Sequence, residues 1–104
     1  MNRLPDLSEI EGFEWDQANT GKIWQRHHVT FHECEEVFFH EPFGFAPDLS
    51  HSVVEQRYFA YGRTTLGRLL TIIFTIRSNR IRVISARDMS RKERKLHEKI
   101  QTGT

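Results

Sequence analysis

LLTIIFTIRSNRIRVISAR, residues 69–87, decides the fold. Leu69 to Ile76 is a nearly continuous run of β-branched and aromatic residues, the pattern of a central strand covered on both faces. Asn79 marks a turn. Beyond it Ile81, Val83 and Ser85 alternate with Arg82, Ile84 and Ala86, the period of two that a half-buried strand requires. Upstream, Arg57 to Arg63 also alternates, with Arg57, Phe59, Tyr61 and Arg63 on one side and Tyr58 and Ala60 on the other. Thr64 to Gly67 reads as its hairpin connection to the run at Leu69. Three strands joined by short turns predict an antiparallel sheet.

Nearer the N-terminus the period changes. Gly12 to Asp16 alternates as a short strand, and Asp16 is placed to cap a helix running to about His27, with Ile23 and Trp24 toward the core and Lys22 and Arg26 toward solvent. Thr30, Phe31, His32 and Glu33 have the order of a capping box, in which hydroxyl and carboxylate satisfy free backbone amides reciprocally. A second helix is predicted from Thr30, its stripe of Phe31, Cys34, Val37 and Phe38 broken by Glu35, and it stops before Pro42. Residues 41–54 carry Pro42, Gly44, Pro47, Asp48, Ser50 and Ser52 and read as a loop with a brief strand through Phe43 and Phe45. Ser90 and Glu93 repeat the capping-box spacing and open a last helix to Gln101. That helix holds Arg91, Lys92, Arg94, Lys95 and Lys99 but only Leu96 and Ile100 as strong apolar contacts. The expectation is an α+β fold: a small antiparallel sheet, two N-terminal helices and one basic C-terminal helix. Residues 12–101 form the domain, and residues 1–11 an N-terminal extension.

A chain of 104 residues with eight Phe and two Trp has material for one core but not two. The lone Cys34 excludes a disulfide within the chain and a thiolate metal site. Six histidines, His27, His28, His32, His40, His51 and His97, show no helical two-His zinc spacing around a glutamate, so no metal and no cofactor is expected. No Gly-rich phosphate loop or nucleophile elbow occurs. The first eleven residues lack a signal peptide's apolar run and no later segment reaches a membrane span, which predicts a cytoplasmic protein with no membrane partner.

Net charge is only +1, but its distribution is lopsided. Residues 1–54 hold three basic and ten acidic side chains, and residues 55–104 twelve basic and four acidic. Such segregation predicts a positive surface able to hold phosphates, unless folding interleaves the halves. The strands carry Arg57, Arg63, Arg68, Arg77, Arg80, Arg82 and Arg87. Arginine is poorly suited to a core, so these must turn to solvent, to ion pairs or to a ligand. Planar guanidinium groups grip a phosphodiester bidentately and stabilise the added charge of a pentavalent transition state. Tyr58 and Tyr61 lie among them, where they can stack bases or serve the core.

Several stretches resemble the BrnT toxins, in order and with similar spacing: Phe13-Glu14-Trp15-Asp16, Arg26-His27, Val29-Thr30-Phe31-His32-Glu33, Glu36-Val37-Phe38, Glu55-Gln56-Arg57-Tyr58, Gly67-Arg68-Leu69-Leu70, Arg80 to Arg87, and Ser90-Arg91-Lys92-Glu93-Arg94. The resemblance covers about residues 12–100. It implies a RelE-like fold, RNA cleavage that blocks translation, and an adjacent antitoxin, BrnA, whose ribbon-helix-helix part binds operator DNA so that the hetero-oligomer represses its own promoter. Under this resemblance Arg57, Arg63, Arg68, Arg82 and Arg87 are the expected catalytic arginines, with Glu55 or His27 accepting the proton. Tyr58, Tyr61, Arg80 and Lys92 are the expected RNA contacts. The competing reading is a basic module that only binds nucleic acid or an acidic protein. Two positions depart from the family pattern. His28 stands where Gly usually ends the first helix, and must adopt a left-handed conformation unless the turn differs. His97 stands where Tyr is common.

Overall fold

The order of elements is β1 (Gly12–Glu14), α1 (Gln17–His27), α2 (Phe31–Phe39), β2 (Gly44–Pro47), β3 (Tyr58–Arg63), β4 (Leu69–Arg77), β5 (Arg80–Asp88) and α3 (Arg91–Thr102). The computed structural model describes residues 5–51 and 55–102. The first four residues of the expected extension, and residues 52–54 with Ser52 of the expected loop, lie outside the described residues, as do 103–104 and the side chains of His51, Gln101 and Thr102.

The strands form one five-stranded sheet in the order β1-β5-β4-β3-β2. Ser78 and Asn79 both have positive φ, 50° and 61°, which a two-residue hairpin turn needs to follow the twist of its strands, and so β4 and β5 pair antiparallel. β3 and β2 continue the antiparallel order, but β1 lies parallel to β5, with Phe13 beside Ile81. The sheet is therefore mixed rather than wholly antiparallel. No hairpin ties β1 to its neighbour, so local turn chemistry does not set its direction.

The capping residues act as the sequence predicts. Asp16 accepts from the Asn19 amide at 2.7 Å, and Thr30 and Glu33 complete their capping box. His28 ends α1 at φ 54°, ψ 40°, in the left-handed conformation, while its amide donates to the Trp24 carbonyl. Trp24 is not a core residue. It is 49% exposed and rests edge-on against His28, because α1 turns Ile23 inward and sends its Asn19 side chain to the Val83 carbonyl of β5. Glu35, the acid in the α2 stripe, accepts the indole N–H of Trp15 at 2.8 Å. Among its described residues the 41–54 segment holds β2 and a 3-10 turn, Leu49–His51.

Helices α1 and α2 cover one face of the sheet. Phe74 is fully buried there, ringed by Phe38, Tyr58 and Phe45 at centroid distances of 5.2, 5.5 and 6.2 Å. Gly62 lets α2 approach: a Cβ at that position would lie 2.7 Å from Val37 Cγ1. Leu7 and Ile10, from the expected extension, also pack on this core. A β-bulge changes the strand reading. Ile73 pairs with Ser85 and Phe74 with Val83, so Ile84 is the extra residue. The bulge shifts the phase: Ala86, not Ser85, is buried with Ile81 and Val83. Simple alternation would put Arg82 and Arg87 on opposite faces, but the bulge puts them on one.

Candidate functional site

The face away from α1 and α2 is assembled from the register. Thr75 pairs with Arg82, Ile73 with Ser85 and Thr71 with Arg87, while Phe59 and Tyr61 of β3 sit beside Ile73 and Thr71. One end of this face is an ion-pair cluster. Arg82 donates to Glu14 at 3.0 Å and to Asp16 at 2.9 Å, and Arg77 grips Glu55 with two bonds of 3.0 Å. Glu55 also lies 4.0 Å from Arg57. The hydrogen bond from Arg77 leads the influences that hold the Glu55 carboxyl below its ordinary range, with the charges of Arg57 and Arg82 adding to it.

At the other end α3 stands over the sheet. Arg87 donates to both oxygens of Glu93, at 2.7 and 3.1 Å, and Thr71 donates to the same carboxylate at 2.9 Å. Glu93 also closes the predicted capping box with Ser90. Burial is the largest single influence on this carboxyl and opposes its ionisation. The donors Arg87, Ser90 and Thr71 outweigh burial and bring its pKa down to about 2. Burial pushes the nearby Tyr61 phenol up, reinforced by the charge of Glu93. Tyr61 stacks with Phe59 at 6.1 Å, and Phe43, 6.2 Å away, carries the His97 ring at 4.7 Å.

The structure thus brings Glu55, Arg57, Arg82, Arg87 and Tyr61 to one face. Strand alternation adds Arg80, exposed at the start of β5, and Arg63, exposed at the end of β3, and Lys92 lines a groove beside α3. Three expected site residues lie elsewhere. Tyr58 packs in the core on the helix-covered face. His27 ends α1, and its carbonyl accepts from Arg68. Arg68 is held by Asp88 through two bonds, by Glu33, and by the His27 and His28 carbonyls. Asp88 is the chief cause that raises its pKa.

Acids of the N-terminal half, Glu14, Asp16 and Glu33, neutralise arginines of the C-terminal half, so the charge segregation of the sequence is partly cancelled in space. Sequence reasoning missed Thr71 and Glu93 as partners of Arg87, and His97 on the same helix face as Glu93. The signal was present in the Ser90–Glu93 box and the four-residue step to His97. Cys34 is fully buried, and burial pushes its thiol up to about 12, so it is inert as a nucleophile. Among the described residues no three of His, Cys, Asp and Glu converge as a metal site, and no helix is long and apolar enough to cross a membrane.

This α+β fold is similar to that of a solved ribonuclease toxin. The 1.1 Å crystal structure of the Brucella abortus ribonuclease toxin BrnT is similar with a TM-score of 0.57, over 77% of this chain and 97% of that chain, at 18% identity. At that identity the likeness establishes the fold alone. The model of the family described as "Ribonuclease toxin, BrnT, of type II toxin-antitoxin system" matches residues 15–93, and the chain belongs to that family. It is a ribonuclease toxin with RNA as substrate and an antitoxin as partner. The family decides for an enzyme over a basic module that only binds. No individually curated protein matches the chain.

Proposed function

We propose that the arginine face binds and cuts RNA, and that a BrnA-like ribbon-helix-helix antitoxin neutralises the toxin and joins it in a hetero-oligomer that represses their promoter. In this reading the protein acts in the cytoplasm, residues 12–101 are the toxin domain, and cleavage of messenger RNA stops translation. The 2′-hydroxyl attacks the adjacent phosphorus, the bond to the 5′-oxygen breaks, and a 2′,3′-cyclic phosphate and a 5′-hydroxyl result. Arg82 and Arg87 stabilise the pentavalent charge, with charge balance supplied by guanidinium groups and no metal ion invoked. Tyr61 stacks a base, and Arg57, Arg63, Arg80 and Lys92 hold the flanking phosphates. The 2′-hydroxyl proton passes to Glu55 or to His97, imidazole being the side chain best suited to exchange a proton near neutral pH, and the leaving 5′-oxygen takes a proton from water to become the 5′-hydroxyl.

One observation carries this reading: the bulge at Ile84 sets Arg82 and Arg87 on the same face as Tyr61, within the span that matches the family. Incubation of the purified protein with naked RNA and with translating ribosomes tests it. Cleavage that leaves cyclic-phosphate ends and vanishes in Arg82→Ala/Arg87→Ala is expected. Wild-type cleavage by that variant would remove the assignment.

A further inference from the structure

Beside α3 the open face ends in a groove of about 720 Å³, of which the RNA reading uses only Tyr61 and Lys92. Its floor is Phe43 and Tyr61, and its wall is the α3 row Lys92, Leu96 and Ile100, spaced four apart, with Lys95 on the rim. Leu96 is 55% exposed and Ile100 47%, so both leave apolar surface in water. α3 carries five basic side chains against Glu93 and Glu98, and Glu93 is already spent on Arg87. Among the described residues that line the groove Glu93 is the one acid, so none is left there to offset Lys92 and Lys95. An aliphatic pair one helical turn apart, with ammonium groups beside it at the head of the groove, is the complement of an amphipathic helix, apolar on one face with acids along its edges. Along the helix side RNA fits less well, because Leu96 and Ile100, unlike Tyr61 opposite, offer no plane on which a base can stack.

We infer that this groove is the docking site of the antitoxin, which inserts apolar side chains of an acidic amphipathic helix between α3 and Phe43 and pairs its carboxylates with Lys92 and Lys95. The inference rests on the antitoxin-neutralised reading above and adds to it the place and chemistry of the contact. Neutralisation then acts through α3, next to the Arg87–Glu93 pair rather than only by covering arginines.

Calorimetric titration of the full-length toxin with the full-length antitoxin encoded beside it tests the inference, wild type first. Leu96→Glu/Ile100→Glu should weaken binding about a hundredfold and Leu96→Ala/Ile100→Ala about tenfold. Both variants should keep the wild-type melting temperature and cut RNA at the wild-type rate in the absence of antitoxin. Lys95→Glu should weaken binding and flatten its salt dependence. Wild-type affinity in the Glu pair would overturn the docking site while leaving neutralisation intact. Lost cleavage with antitoxin binding retained would give the groove to RNA, and lost self-association of the toxin with that binding retained would give it to a second copy. Either result overturns the inference. A wild-type toxin that does not bind the antitoxin at all would bring down the neutralisation reading itself, and the docking site with it.

Discussion

Helices α2 and α3 both begin with a capping box whose glutamate also holds an arginine of the sheet: Glu33 takes Arg68, and Glu93 takes Arg87. The guanidinium nitrogens of Arg68 are all engaged, by Asp88, Glu33 and two carbonyls, and α2 is anchored through the buried Cys34 and Val37. Arg87 relies on one carboxylate and the adjacent Asp88 carbonyl, and the helix supplying that carboxylate leaves its two strongest apolar residues half exposed. The same local motif gives a fixed strut on the covered face and a releasable pair on the open one. An arginine whose donors are all engaged by a packed framework has none left for a phosphate. One whose partner sits on a weakly held helix can exchange a carboxylate for a phosphodiester at small cost.

The sharpest way to break this contrast is to remove arginines from each side. Arg82→Ala/Arg87→Ala should lower RNA cleavage by about a hundredfold or more, measured as initial rate on folded protein, and also lower the urea midpoint, because Glu14, Asp16 and Glu93 lose their partner. Arg68→Ala should lower stability alone. It strands Glu33 and Asp88 and should cost about 2 kcal/mol of unfolding free energy, less than a fully buried pair because Arg68 is partly solvated. A large activity loss at unchanged stability in Arg68→Ala would place it with the site instead.

Acid should expose the α3 side next. The Glu93 carboxyl is depressed from 4.5 to about 2, so its stabilising contribution is complete above pH 4.5 and is lost as pH falls toward 2. Discounted for the partial exposure of the Arg87–Glu93 pair, that contribution is about 2 kcal/mol and should disappear in Glu93→Gln, read as the difference between the two proteins' unfolding free energies from pH 6 to pH 2. Caps give a smaller effect. Thr30→Ala should cost about 1 kcal/mol globally, whereas Ser90→Ala should mainly speed amide exchange within α3. The smallest effect belongs to His27→Gln, which should leave the cleavage rate within about twofold, since the His27 carbonyl rather than its ring serves Arg68. A steep drop there would return His27 to the proton-transfer role.

What the sequence discloses depends on the range of the interaction. Asp16, the Thr30–Glu33 box, the Ser90–Glu93 box and the β-rich run at Leu69 act within a few residues, and each is legible from spacing alone. The bulge at Ile84 is not, because a strand accommodates an extra residue only in relation to its partner, and Ile84 looks like any β-branched strand residue. The direction of β1 and the pairing of Glu14 and Asp16 with Arg82 depend on contacts across most of the chain. The arginine set was legible as a set. Which members are struts and which face outward was not, since Arg68 and Arg87 look alike until Asp88 and Glu93 are placed.

The parallel seam between β1 and β5 bears on when the toxin becomes dangerous. Glu14 precedes Arg82 by 68 positions, and no hairpin shortens that gap. A ribosome adding about 5–20 residues per second needs roughly 3 to 14 s to cover it. Isolated hairpins form in about 1–10 μs, so translation rather than folding sets the delay. During those seconds the acids that hold Arg82 wait without a partner, and the arginine face does not exist. On the function proposed above, a nascent chain has no RNA-cutting face until β5 has emerged, and the length of that interval is set by translation.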